Sequence, residues 1–228
     1  MNCVYCSQRI SRILSIRELI CFHPLPRYEL CINCQKKFQL LEGHQLCNGC
    51  GRKCSSFYCS DCHLWQKKYP DYSFHHTALF QYDDEMKLWF EEYKFKGNYQ
   101  LRHSFSQKIA VYFKKKKNFL VIPIPLSKNR LSERGFNQVE GLLKGAAVDY
   151  TDCLVRTGSD QPQSKKGRKE RLSGHQPFHL CKTYEHLLAD RNVLLVDDIY
   201  TTGRTLFFAS EIILKYPVKK LETFSVAR

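Results

Sequence analysis

The residues from Val193 to Thr205 read VLLVDDIYTTGRT, and their types suit the binding of a sugar phosphate. An apolar strand ends in two adjacent carboxylates, Asp197 and Asp198. A Thr-Thr-Gly-Arg-Thr turn follows and opens a helix. The start of a helix offers unpaired N–H groups and the positive end of its dipole, which suit a phosphate. Gly203 lets the backbone approach closely. The hydroxyls of Thr201, Thr202 and Thr205 add donors, and the Arg204 guanidinium either reaches the phosphate or points to solvent. One step upstream, Asp197 and Asp198 accept hydrogen bonds from adjacent hydroxyls of a sugar and so orient it. In open parallel sheets ligands sit at the carboxyl ends of strands, where this loop lies. A ribose phosphate satisfies both halves. The plain alternative is a capped, buried helix with no ligand. Another alternative is the acidic strand of an NTPase motor. That strand needs a G-x-x-x-x-G-K-[ST] partner, and the chain has none; a G-x-G-x-x-G dinucleotide fingerprint is also absent.

Cysteine supplies the second chemistry. Of 12 Cys, ten lie in residues 1–62. Four Cys-x-x-Cys pairs stand there: Cys3/Cys6, Cys31/Cys34, Cys47/Cys50 and Cys59/Cys62. Two intervening residues let both sulfurs reach one tetrahedral zinc from a tight knuckle, at about 2.3 Å. Four pairs make two complete four-thiolate sets. The simplest partition is sequential, with Cys3, Cys6, Cys31 and Cys34 in one site and Cys47, Cys50, Cys59 and Cys62 in the other. An interleaved partition stays open, and Cys21 and Cys54 are spare thiols that fit either scheme. Closed four-thiolate sites fold segments too small to make a core, so two structural zinc ions and no catalytic zinc are expected. A redox dithiol is disfavoured because no strand–helix context surrounds any pair.

These residues need elements to hold them. Residues 1–62 read as Cys pairs and short polar links without a helix or strand period. The character changes near residues 63–74, where Pro70 and Asp71 punctuate the chain. The expected division is a Cys-rich unit over 1–65 and a larger unit over 73–228. In the larger unit Met86 to Phe95 and Leu101 to Phe113 look helical, and Phe119 to Pro123 reads as a buried strand. Val139, Leu142, Leu143 and Ala146 follow helical spacing, which predicts a helix from Asn137 to Tyr150. Cys153 to Arg156 reads as a short strand. Asn192 to Val196 is an apolar strand, its following helix carries Leu206, Ala209 and Ile213 up to Pro217, and Leu221 to Val226 closes the pattern. Such alternation implies an α/β fold, a mostly parallel sheet with helices on both faces. One segment, Thr157 to Gln176, holds a single aliphatic residue, Leu172. It reads as a mobile surface loop or as a loop that covers a ligand.

Composition narrows the class. Apolar residues make up 43% of the chain, as in globular proteins, so wholesale disorder is excluded. No apolar run approaches the roughly 20 residues that span a bilayer, so membrane insertion is not expected. The start, MNCVYCSQRI, lacks a signal-peptide core. A cytoplasmic protein is expected, and in that compartment clustered cysteines favour metal over disulfides. The formal net charge is +14, which points to a polyanionic partner. Residues 1–63 hold eight Lys/Arg and four Asp/Glu, a surplus that two four-thiolate zinc sites would cancel. Residues 87–134 hold twelve Lys/Arg against three Asp/Glu, interleaved with Trp89, Phe90, Tyr93, Phe95, Tyr99 and Phe113. Lys and Arg neutralise phosphates and aromatics stack on single-stranded bases. The competing reading buries those aromatics in helix faces and leaves Lys114 to Lys117 as a solvated helix end.

The acidic-pair string resembles the ribose-phosphate signature of type I phosphoribosyltransferases, which bind phosphoribosyl pyrophosphate with Mg²⁺. Further strings extend the likeness: Val121 to Leu126 (VIPIPL), Arg134 to Gln138 (RGFNQ), Tyr93 to Gly97 (YKFKG), and Gln163 with Arg168 and Arg171. Together with the four cysteine pairs they resemble the ComF family over the whole chain. The resemblance implies a double zinc ribbon on a type I phosphoribosyltransferase-like domain. It also implies a part in DNA uptake during natural transformation, beside the ComFA ATPase. In related enzymes the loop after the first core strand binds pyrophosphate. The matching place is Ile124 to Arg134, with Lys128, Arg130 and Arg134 as donors to pyrophosphate or DNA. Arg204 stands where such loops often have Ala, and Gly174 stands where the family usually has a polar residue.

Three functions follow as expectations. One is a competence protein that binds single-stranded DNA, acts with ComFA at the uptake machinery and keeps a ribose-phosphate pocket. Another is an active phosphoribosyltransferase, in which Asp197 and Asp198 orient the ribose, Thr201 to Thr205 hold its 5′-phosphate and the acceptor is unidentified. The third is a non-catalytic scaffold that docks the helicase through its zinc ribbons.

Overall fold

Alternation along Val193–Val196 sets the layers. Leu194 and Val196 join one buried apolar cluster and Val193 and Leu195 the other, so this strand is covered on both faces. A computed structural model describes residues 2–11, 29–43, 45–157 and 176–228. Its strands are β1 (His76–Phe80), β2 (Phe119–Pro123), β3 (Leu154–Arg156), β4 (Phe178–Leu180), β5 (Asn192–Ile199) and β6 (Lys220–Ala227). Four form one sheet in the order β1-β6-β5-β2, with every neighbouring pair parallel. The apolar strand of the acidic string is therefore interior to the sheet, and it runs three residues further than its apolar pattern, through the two carboxylates to Ile199.

The helices are α1 (Ile32–Lys37), α2 (Ser60–Lys68), α3 (Asp84–Phe95), α4 (Ser106–Lys114), α5 (Lys128–Arg134), α6 (Gln138–Gly145) and α7 (Arg204–Ile213). One face of the sheet carries α3, α4 and α6 through Trp89, Phe90, Ile109 and Leu142. The other carries α7 through Leu206, Ala209 and Ile213. That second face also receives β3 and β4, a separate antiparallel pair in the register Leu154↔Leu180. The expected strand at Cys153 to Arg156 thus exists but lies outside the main sheet.

Three expected helices change length for local reasons. The segment Leu101–Phe113 splits into a 3-10 turn (Tyr99–His103) and α4. At the break, the Ser104 hydroxyl accepts a hydrogen bond from Trp89 Nε1 at 3.1 Å. The helix predicted to reach Tyr150 stops at Gly145, and Ala147 takes the left-handed conformation at φ 52. Helix α7 ends at Ile213, before Pro217, through a turn in which the Leu214 amide bonds the Ser210 carbonyl at 2.8 Å.

The cysteine-rich region clasps the β1 edge. Leu40 bridges Phe80 in antiparallel fashion, the Leu41 amide donates to Leu79 O at 2.9 Å, and the Gln81 amide donates to Gln39 O at 2.8 Å. This short connection covers backbone groups that an edge strand would otherwise expose. On one side of it Cys34 and Phe38 pack with Phe80 and Phe105 on the α3–α4 face. On the other side Trp65 stacks at 4.1 Å on Phe207 of α7. No helix among the described residues is long and apolar enough to cross a membrane.

Candidate functional site

The carboxyl ends of β2 and β5 open onto a cavity of about 230 Å³. Asp197, Asp198, Thr201 and Thr205 line it from the acidic-pair loop. Arg130 and Arg134 line it from α5, and Lys94 and Arg156 close it from α3 and the end of β3. Adjacent strand ends placed side by side by the Pro123↔Val196 register account for this convergence. Four expected residues do not line this cavity, and one of them is Gly203, which is buried. Lys128 is exposed at the start of α5. Thr202 borders a neighbouring cavity of about 480 Å³, with Arg52, Lys53 and Tyr82. Arg204 lies over the Phe208 ring at 5.1 Å, one turn along α7. The stretch Ile124 to Arg134 is mostly helical rather than an open loop, because the Ser127 side chain caps α5 by accepting from the Arg130 amide at 3.3 Å.

Electrostatics separate the two carboxylates. Asp198 pairs with Lys94, with Nζ to Oδ2 at 2.6 Å. Asp197 accepts from the Asp198 amide at 2.9 Å. Burial, and then the negative charge of Asp198, push the Asp197 carboxyl up to about 7, against the smaller opposing pull of that amide, Lys94 and Arg156. A cationic or hydroxyl-bearing ligand is thus met by one ionised and one poised carboxylate.

The RGFNQ string positions the arginine of α5. Asn137 caps α6, with its Oδ1 accepting from the Val139 amide at 2.9 Å, and its Nδ2 donates to the Ile124 carbonyl at 3.2 Å. That second bond ties the string to the VIPIPL segment. Gln138 is fully buried, and its Oε1 accepts from Arg134 Nη1 at 2.8 Å. The Tyr93 hydroxyl donates to the Gln138 carbonyl at 3.0 Å, which joins YKFKG to RGFNQ. Lys94, Gln138 and Arg156 belong to the site although the sequence by itself does not mark them as site residues. Lys94 and Gln138 had a signal in those strings, whereas Arg156 had none.

Gly203 has φ 81, and a Cβ there would collide with the Tyr200 hydroxyl. The glycine in this loop therefore admits a buried tyrosine from behind.

The eight paired cysteines form two clusters, Cys3–Cys6–Cys31–Cys34 and Cys47–Cys50–Cys59–Cys62, in the sequential partition. Within each, the candidate ligand atoms lie within 4.8 Å of one another. Cys6 and Cys31 sulfurs are 3.7 Å apart and Cys50 and Cys59 sulfurs 3.5 Å apart. Sulfurs at about 2.3 Å from one tetrahedral ion are about 3.8 Å apart, so both sets fit zinc. The two are built alike. Each first pair sits on a tight hairpin, closed by the Asn2↔Arg9 and Leu46↔Lys53 bridges, with Ser7 and Gly51 at positive φ. Each second pair begins at a helix N-cap, Cys31 for α1 and Cys59 for α2. In the second cluster the Cys62 thiol, bonding to Cys50, holds it down to about 4, and the Arg228 charge adds to this. Cys62 is pushed up by the same bond and by burial. Four sulfurs this close ionise together only around a cation. Cys54 stands outside both sets, its thiol bonding the Ser56 carbonyl at 3.0 Å. Cys21, Gln163, Arg168, Arg171 and Gly174 lie outside the described residues, as does most of the Thr157–Gln176 segment.

The four-stranded parallel sheet flanked by helices, joined to two four-cysteine clusters, defines an α/β protein with two zinc-ribbon-like modules. Comparison with known proteins narrows this. The competence protein ComFC of Streptococcus pneumoniae is 35% identical over 231 residues, spanning 100% of both chains. ComFC of Bacillus subtilis is 32% identical over 99% of this chain and 94% of its own. Competence protein F of Haemophilus influenzae is 24% identical over 87% of this chain and 96% of its own. The chain belongs to the ComFC family. No protein-family model matches it. Among solved structures, adenine phosphoribosyltransferase of Saccharomyces cerevisiae overlaps 56% of this chain and 69% of its own at 17% identity and a TM-score of 0.34. Hypoxanthine phosphoribosyltransferase of Staphylococcus aureus overlaps 54% and 60% at 14% identity and a TM-score of 0.33.

Proposed function

We propose that the chain serves DNA uptake in natural transformation, binding single-stranded DNA beside a ComFA-type ATPase on the cytoplasmic side of the uptake machinery, with a ribose-phosphate pocket retained at the ends of β2 and β5. The observation that carries this reading is the cavity that joins Asp197, Asp198, Thr201 and Thr205 to the cations Lys94 and Arg130. Hydroxyl acceptors on one side and phosphate donors on the other match the two ends of ribose 5-phosphate or phosphoribosyl pyrophosphate. Mg²⁺ is held elsewhere by one or two carboxylates plus substrate phosphates, and Asp197 with Asp198 supplies such a pair. The ComFC relatives carry the competence role. For DNA, the support is Phe95, 71% exposed, with the Arg134 guanidinium 5.3 Å from its ring. An exposed ring beside a cation stacks a base and binds its phosphate. Two zinc ions hold the cysteine clusters in this reading, as structural ligands only.

The intact acidic pair favours a second reading, an active phosphoribosyltransferase. The chemistry would then be positioning of the ribose by Asp197 and Asp198 and steadying of the departing pyrophosphate by Arg130 and Arg134. Calorimetry with phosphoribosyl pyrophosphate and ribose 5-phosphate, together with an Asp197→Ala/Asp198→Ala double variant assayed for transformation and for DNA binding, separates the readings. Binding of the sugar phosphate by the wild type, and loss of transformation with DNA binding intact in the variant, are expected. No binding of either ligand removes the pocket from the proposal. Transformation lost together with partner capture on deletion of the ribbon region would favour the scaffold reading.

A further inference from the structure

The second cysteine cluster and the threonine loop are tied by side chains that neither site needs by itself. Arg228 Nη2 donates to Cys50 Sγ at 2.7 Å, and its Nη1 donates to the Thr201 carbonyl at 3.4 Å. Trp65, on the helix capped by Cys59, donates Nε1 to the Thr202 carbonyl at 2.8 Å. Its ring stacks on Phe207 within the first turn of α7. Between these two ties lies Tyr200, with Arg228 4.4 Å from its ring centre and the His76 ring also at 4.4 Å. A peptide's C=O and N–H point in opposite directions across one rigid plane. Holding the Thr201 and Thr202 carbonyls toward the cluster therefore turns the N–H groups of Thr202 and Gly203 away from it. The first cluster packs on the opposite face of the sheet with Phe38 and Phe80, and among the described residues no hydrogen bond joins it to this loop.

We propose that the second cluster, acting through Arg228 and Trp65 as positioning residues, sets the phosphate-binding conformation of Thr201–Thr205, so that metal at Cys47, Cys50, Cys59 and Cys62 governs affinity for ribose 5-phosphate while metal at the first cluster does not. The proposal rests on reading that loop as a ribose-phosphate site. A single hydrogen bond contributes about a fivefold change in an equilibrium. The test uses the zinc-loaded full chain and the variants Trp65→Phe, which keeps the ring stack, and Arg228→Gln. Two measurements are made: amide hydrogen exchange across residues 201–205, and titration with ribose 5-phosphate. Each variant should raise loop exchange and weaken ribose 5-phosphate about fivefold, with melting temperature little changed. Cys59→Ser should have the same effect on the loop, whereas Cys31→Ser should not. Loop exchange in the Trp65→Phe/Arg228→Gln double variant equal to wild type overturns the proposal, as does an equal response to Cys31→Ser and Cys59→Ser. A wild type that binds no ribose 5-phosphate overturns the ribose-phosphate reading instead, and the exchange measurement still decides the mechanical tie.

Discussion

Lys94 Nζ lies 2.6 Å from Asp198 Oδ2, with 13% and 15% of the two side chains exposed. A lysine from the first long helix thus neutralises one of two carboxylates that the sheet brings together. Removing one partner of a buried pair leaves the other charge uncompensated. Lys94→Met should therefore destabilise the protein by about 3–5 kcal/mol at pH 8. The loss should shrink at pH 5, where the neighbouring Asp197 is protonated and the surplus negative charge is halved. Urea unfolding at the two pH values measures this, and a loss that does not depend on pH would count against the ion pair as its source.

The pH dependence of Asp197 has the opposite sense. Its carboxyl is raised to about 7 by burial and by Asp198. In the unfolded chain it titrates near 3.9. Between those values the folded state holds a proton that the unfolded state has lost, so stability falls as pH rises from about 4 to about 7. Asp197→Asn removes this penalty. It should stabilise the unliganded protein by up to about 4 kcal/mol at pH 8 and by little at pH 4. The same variant should lose ribose 5-phosphate binding, since Asn cannot offer an ionised acceptor to the sugar. Melting curves at both pH values, alongside calorimetry, check the two halves. Stabilisation that is equal at both pH values would mean that the carboxylate is not strained by its site.

What could be read from the sequence follows from how local each signal is. The acidic pair, the threonines and the cysteine pairs are contiguous strings whose chemistry is complete within a few residues. The sequential cysteine partition is only the simplest of the schemes open in the sequence, and the structure selects it by setting each hairpin knuckle beside the next helix N-cap. Lys94, Gln138 and Arg156 come from three elements far apart in the chain, and only the sheet order brings them to one cavity. Strand β1 gives little sequence signal because HTALF is only five residues long and sits at the sheet edge, paired with β6 on one side and bridged by Leu40 of the cysteine-rich region on the other. The short helices α1 and α2 escaped for a similar reason: each starts at a cysteine and owes its place to the cluster. The basic stretch 87–134 divides in space. Trp89, Phe90, Tyr93 and Phe113 are core residues. Lys116 pairs with the buried Glu222 near the opposite ends of the strands from Asp197.

Metal content should separate by cluster. Two zinc ions per chain are expected, and Cys59→Ser and Cys31→Ser should each release one. Because the thiol clusters sit within the two apolar layers, each loss should also lower the melting temperature. Elemental analysis of the purified protein after gel filtration gives the stoichiometry. Less than one zinc per chain in freshly prepared wild type would remove the structural-zinc reading.

DNA affinity offers the last discrimination, because the basic residues lie at opposite ends of the sheet. Phe95 and Arg134 stand at the rim of the ribose-phosphate cavity, whereas Lys114, Lys115 and Lys117 are exposed just before the start of β2. If single strands run across the carboxyl ends of the strands, Phe95→Ala should weaken binding by about 1–3 kcal/mol without altering its salt dependence, as loss of one stacked base does. Arg130→Ala should instead reduce the slope of log affinity against log salt by about 0.7, one phosphate contact on a single strand. The triple change Lys114→Ala/Lys115→Ala/Lys117→Ala should leave both nearly unchanged. Fluorescence anisotropy with an oligothymidine over a salt series reads all three. A triple variant that loses most of the affinity would place the DNA path at the amino ends of the strands, away from the sugar-phosphate cavity, and would break the link between the two activities.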